Sequence, residues 1–310
     1  MLATLPLRGS LAALQAEAAE RAAELEKLLE NPAALFGVAG GAAILGLFLI
    51  PLRQAIVRGC VAPSPPTRPS FRWTDLLAVI AGLLLSQVVA VQVAVVLAHG
   101  SWPEEQEVLD EVVEGLSFLE QAAVTSASFL FVALLIGLIA RRRADGLASL
   151  GLSRVAPARF PLGRAAAGLS SYVLAVPFLI AAAVANAAAY AVGGKEVPAQ
   201  DVALAIQEQI HSQPLQVAFF AVLLIPLLEE VIFRGFLLEV LSSRLGRAAG
   251  VVLSSFAFAI LHGVAAAPVI FALAVAMALV KLRTRSLLVC WLIHGTHNGA
   301  VLLLQSLGLQ

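Results

Sequence analysis

Glu229 and Glu230 stand side by side, with Arg234 close behind, inside an apolar run from Pro214 to Val240 that is long enough to cross a bilayer. A charged side chain at the bilayer centre costs roughly 2.5–3.5 kcal/mol on the translocon-insertion scale, so three of them in one span require partners or chemistry. Residues at i and i+4 share a helix face, whereas i and i+1 point about 100° apart. Glu230 is therefore placed to pair with Arg234, while Glu229 is turned to another face and finds no base on its own helix. His262 in the next apolar segment, and His294 with Asn298 in the last one, are the candidate partners. A carboxylate with an imidazole can hold and deprotonate a water. A second histidine with an asparagine amide offers two donors to the oxyanion of a tetrahedral intermediate. The set suits acyl hydrolysis, with a peptide bond as the expected target.

The elements that must position these side chains can be read from the basic residues. Arg244 and Arg247 bracket a tight connection; Glu229 precedes Arg244 by the same interval by which His262 follows Arg247. Fifteen residues at 1.5 Å each put both about 22 Å from that turn, so an antiparallel helical hairpin brings carboxylate and imidazole to one depth. His294 and Asn298 are again i, i+4, and their depth counted from Arg285 overlaps that of the pair. Lone intramembrane histidines and asparagines also tie helices together, and the Glu230–Arg234 pair reads as structural. His297 points about 100° from Asn298, and His99 and His211 fall in expected outer loops.

The composition, 60% hydrophobic and 13% charged with mean hydropathy +0.92, lies far from that of soluble domains, about a quarter of whose residues are charged. An all-α polytopic membrane protein is expected. Apolar stretches at about 32–52, 75–98, 119–140, 164–192, 214–240, 248–264, 268–282 and 286–306 give eight transmembrane helices. The seventh is short, and the fourth is long enough to tilt or break near Pro177. The connections 53–74, 141–164, 243–248 and 281–285 hold fifteen of the 20 Lys and Arg, whereas 99–120 carries seven acids and no base. By the positive-inside rule the basic loops are cytoplasmic and both termini lie outside. The bilayer is thus the first partner, and no nucleic-acid partner is expected.

Residues 1–31 read as an amphipathic N-terminal helix, with apolar positions from Leu11 to Leu29, and lack a signal-peptide pattern. Residues 32–213 read as transmembrane helices and loops, and 214–310 as the catalytic core. The stretch 61–70 is a Pro-rich connector, and Gly37 and Gly41 form a GxxxG pair. Two cysteines, Cys60 and Cys290, make a disulfide framework unlike this chain. HExxH, the zinc-protease helix signature, is absent, as are GxSG-like nucleophiles and GxGD aspartates.

EEVIFRG (Glu229 to Gly235), FAILH (Phe258 to His262) and HGTHN (His294 to Asn298) resemble the EExxxR, FxxxH and HxxxN motifs of the CAAX-protease and bacteriocin-processing family. The resemblance covers residues 214–306. It implies an all-helical intramembrane protease in a multi-pass protein, acting on a membrane-associated protein or peptide. Glu229 and His262 would activate water, and His294 and Asn298 would serve as oxyanion donors. Glu230, Arg234 and Phe258 would support them. No cofactor is expected; zinc held by Glu229, His262 and His294 is the alternative. The Ala-, Leu- and Arg-rich composition points to a bacterial cytoplasmic membrane. Two other functions compete: a non-proteolytic regulator or scaffold of the same family, and an ion-coupled transporter, whose paired halves are not visible in this chain. The topology is testable by cysteine labelling, which should find 53–74, 141–163 and 281–285 cytoplasmic and 99–120 external; labelling of 99–120 only after the cytoplasmic face is opened would invert it.

Overall fold

The computed structural model describes residues 31–60, 71–101, 103, 112, 115–143, 146–148, 150–152, 162–198 and 201–307. The expected helix at 10–30, the Pro-rich connector and most of the acidic loop lie outside these. The described residues form ten longer helices, one 3-10 turn at Gly146–Ala148 and no strand: α1 (Pro32–Cys60), α2 (Trp73–His99), α3 (Phe118–Arg141), α4 (Gly163–Val173), α5 (Val176–Val192), α6 (Asp201–Gln209), α7 (Pro214–Leu245), α8 (Arg247–Ile260), α9 (Ala267–Thr284) and α10 (Leu287–Ser306).

Seven stretches are long and apolar enough to cross a membrane: α1, α2, α3, α4 with α5, α7, α9 and α10. The fold is an all-α polytopic membrane fold. Seven of the eight expected segments reach spanning length, and the short one is the sixth rather than the seventh. The 14 residues of α8 rise about 21 Å, short of the ~30 Å hydrocarbon layer, whereas α9 runs for 18 residues. The fourth span does break, at Leu174–Ala175, just before Pro177, because proline cannot donate back into a preceding turn.

The site is positioned chiefly by the hairpin of α7 and α8. Gly246 reverses the chain at φ +89°, and a side chain at Gly250 would collide with Ser242, so the two helices lie backbone to backbone. Around this hairpin one core gathers Phe71, Ile136, Phe233, Phe236, Phe258, Met277, Leu287 and Ile293. The outward faces of α1 and α2 stay apolar and exposed, as at Phe48, Leu77 and Leu84. Gly37 and Gly41 face open space, so the GxxxG pair makes no close contact in the described chain; Gly46 instead lies under the Phe178 ring of α5. Cys60 and Cys290 are both free and buried.

Basic residues near the helix ends also fasten the chain. Arg53 donates to the Ala276 carbonyl (2.9 Å), Arg244 to the Phe71 carbonyl (2.7 Å), and Arg143 pairs with Asp75. At the α9–α10 turn, Lys281 Nζ lies 3.0 Å from Glu239 Oε1, and Arg285 Nη1 lies 2.9 and 3.0 Å from the two oxygens of the same carboxylate. All three residues are buried. One carboxylate thus serves two cations, and removing it strands both. Glu239→Ala should lower unfolding free energy in detergent by about 3–5 kcal/mol, while Lys281→Met, which leaves a matched Glu239–Arg285 pair, should cost much less; equal stability of Glu239→Ala and parent would show that the cluster is not structural.

Candidate active site

α7 is not a regular α-helix. Wide π turns at Phe219–Leu224 and Val231–Leu237 flank the regular stretch Ile225–Glu230 that carries both glutamates. Such turns shift side-chain register and leave carbonyls short of intrahelical partners. Three successive carbonyls of the first turn face α10. Trp291 Nε1 donates to the Leu223 carbonyl (2.9 Å) and Asn298 Nδ2 to the Ala221 carbonyl (2.8 Å), while Gly295 lies against Val222, where a Cβ would come within 2.8 Å of the carbonyl oxygen. Trp291, Gly295 and Asn298 form one face of α10 that zips onto α7 and sets its register. Of these only Asn298 stood out in the sequence; the i, i+4, i+7 spacing was the available signal for the others.

That register brings His294 onto the glutamates. Its Nδ1 lies 3.0 Å from Glu230 Oε1, and its Nε2 lies 3.6 Å from Glu229 Oε2. Glu230 also meets Arg234 Nη1 at 3.3 Å, as the i, i+4 spacing requires. The guanidinium carbon sits 4.2 Å from the centre of the Phe258 ring, a cation–π contact that strengthens when water is excluded. Glu230, Arg234 and His294 are all buried, Glu230 completely. Phe258 is the hub: its ring packs edge-on to Phe233 and His294 and tilts against His262 at 4.6 Å.

His262 stands one turn beyond Phe258, in the bend after α8. Its Nδ1 lies 2.8 Å from the Phe258 carbonyl. A carbonyl only accepts, so Nδ1 carries the proton and a neutral ring presents its Nε2 lone pair. That nitrogen faces Glu229 Oε1 at 4.0 Å, beyond direct hydrogen-bond range. With its side chain 27% accessible, His262 is more open than Glu229 at 11%. The structure therefore gathers Glu229, Glu230, Arg234, Phe258, His262 and His294, and ties Asn298 to the α7 backbone. His297 turns away to pack edge-on against Tyr172. His211 lies exposed in the turn after α6.

Two histidines and a carboxylate are a donor set that zinc uses, and both rings have Nδ1 tied back as in metal-bound histidines. Among the described residues, however, no group of three or more His, Cys, Asp or Glu is gathered closely enough to hold a metal ion.

The family model described as Rce1-like, type II CAAX prenyl endopeptidase, matches residues 211–300. This segment, which spans the glutamates, both site histidines and Asn298, is similar to that family. The seven apolar helices make the chain an integral multi-pass membrane protein, and the match supports a CAAX-type peptidase in general. No curated protein and no solved structure matches the chain.

The pairing of Glu230 with Arg234 makes a stability prediction. Arg234→Ala leaves a fully buried carboxylate without its cation and should cost about 3–5 kcal/mol, read as lower yield and thermal midpoint in detergent. A variant as stable as the parent that has lost all activity would move Arg234 from support into the chemistry or into substrate binding.

Proposed function

We propose that the chain is an intramembrane endopeptidase that hydrolyses a peptide bond of a membrane-associated protein or peptide, in the cytoplasmic membrane of a bacterium, with a water activated by Glu229 and His262. The observation that carries this reading is the facing of the Glu229 carboxylate and the His262 Nε2 lone pair across 4.0 Å, with the imidazole tautomer set by the Phe258 carbonyl. A water that donates one proton to each acceptor at ordinary hydrogen-bond lengths spans roughly 4–5 Å. It is held by both groups with an oxygen lone pair left for attack.

Glu229 takes one proton as the water oxygen bonds to the scissile carbonyl carbon, and the carbonyl oxygen becomes an oxyanion. Two carboxylates and one guanidinium leave a surplus negative charge in the cluster. His294 lies between the two carboxylates, with Nδ1 turned to Glu230 and Nε2 toward Glu229, and serves as a donor to an oxyanion formed beside Glu229. Asn298 spends one amide proton on Ala221 and keeps a second for the oxyanion. Two donors of this kind suit acyl transfer, where losing one costs about 10²–10³ in rate. The proton on Glu229 then passes to the departing amine as the C–N bond breaks, and the carboxylate is restored.

A scaffold of this fold would need Glu230, Arg234 and the core but not Glu229, which no base on its own helix neutralises; that is what favours the enzyme over the regulator. Glu229→Ala and His262→Ala should each abolish hydrolysis while the protein remains folded in detergent. Comparative proteomics of membrane fractions from cells carrying the parent or Glu229→Ala identifies the cleaved proteins, and near-normal turnover by either variant would sink the assignment. Elemental analysis of active, chelator-washed protein addresses the metal. Full activity without bound metal is expected, and stoichiometric zinc whose removal and return switch activity off and on would overturn that expectation.

A further inference from the structure

Asn186 is the one amide in α5, whose only other polar side chain is Tyr190. An amide in so apolar a helix is costly unless it is hydrogen-bonded. Its Nδ2 donates to the carbonyl of Ala265, 79 residues further on, at 2.9 Å. Ala265 belongs to the bend Leu261–Ala266 between α8 and α9, the same bend that carries His262. α8 rises only about 21 Å, less than the hydrocarbon thickness, and an unpaired carbonyl in non-helical backbone is expensive wherever water is excluded. Inside the bend, His262 N–H bonds to Ala259, Gly263 N–H to Ile260 and Ala267 N–H to Gly263, and Gly263 turns the chain at φ +85°. The Ala265 carbonyl is fastened from outside, by α5.

We infer that Asn186 is a positioning residue for His262. The α8 side of the bend holds the ring through the Phe258 carbonyl; Asn186 holds the other side and keeps Nε2 turned to Glu229. α5 lies outside the family-matched segment 211–300. The N-terminal helices therefore complete the active site rather than only surrounding it. Loss of the amide frees the bend, and misplacing a catalytic group by about 1 Å can cost up to 10²-fold in rate.

The inference rests on the reading of His262 as the water-activating imidazole, so its test has one arm that needs no activity. In ¹⁵N-histidine spectra of the full chain in detergent, with His262→Gln and His294→Gln used for assignment, the parent should show His262 as a fixed Nδ1–H tautomer. Asn186→Leu should average that signal while His294, held by Glu230, keeps its own; Asn186→Gln, which retains the amide, should restore it. If Asn186→Leu does not fold, Asn186→Ser, too short to reach Ala265, takes its place. A fixed His262 tautomer in the folded Leu or Ser variant overturns the inference, and so does parallel loss at His294, which would mark a general structural role. The second arm follows Glu229-dependent cleavage products in membrane fractions. They should fall roughly ten- to a hundredfold in Asn186→Leu and recover in Asn186→Gln. A changed His262 signal with undiminished cleavage would keep the positioning role and remove His262 from the chemistry.

Discussion

Keeping two neighbouring carboxylates inside a membrane helix is the constraint on which the rest of the structure depends. Like charges so close raise each other's cost, and the hydrocarbon offers no water to share it. The chain resolves this by giving the two groups different surroundings. Glu230 is completely buried and surrounded by Arg234 and His294. Glu229 faces the two imidazoles, which reach it from α10 and from the bend after α8. One carboxylate thus serves as an internal counter-ion, while the other stays free to take a proton. Phe258 makes that division workable: its ring lies under the guanidinium and against both imidazoles, excluding water from the structural side.

Holding this arrangement requires irregular backbone, and irregular backbone in a membrane requires polar side chains to satisfy it. The π turns of α7 expose carbonyls that Trp291 and Asn298 of α10 take up. The bend after the short α8 exposes a carbonyl that Asn186 takes up. In both places the hydrogen bond that satisfies the backbone also aligns a histidine with Glu229. A regular pair of spanning helices would need neither device, but it would carry its side chains past the site in one invariant register.

The arginines show a related economy. Their placement in alternate connections reads as an orientation signal, yet Arg53, Arg143 and Arg244 also bond across helices, and Arg285 with Lys281 closes on the buried Glu239. Arg244 and the Lys281–Arg285 pair sit at the turns that end α7 and join α9 to α10, Arg53 reaches the middle of α9, and Arg143 ties the end of α3 to the start of α2. The same cations therefore bear on both the orientation of the chain and the depth at which its catalytic core sits.

Much of this was legible in the sequence because it depends on local periodicity. The apolar runs define the helices, the i, i+4 rule pairs Glu230 with Arg234, and equal intervals either side of Arg244 and Arg247 bring Glu229 and His262 to one depth. The break before Pro177 follows from proline's missing N–H. What the sequence could not reveal depends on contacts between distant segments. The 14-residue α8 looked long enough to span because its apolar run continues into the bend, whose shape Gly263 and the Ala265 carbonyl decide. Asn298 looked like part of the reacting cluster because it shares a face with His294, yet whether its amide meets a substrate or a backbone carbonyl turns on π turns that no hydrophobic pattern announces. The role of Asn186 is invisible in sequence for the same reason: its partner lies 79 residues away, and only the packing of α5 against the bend brings the two together.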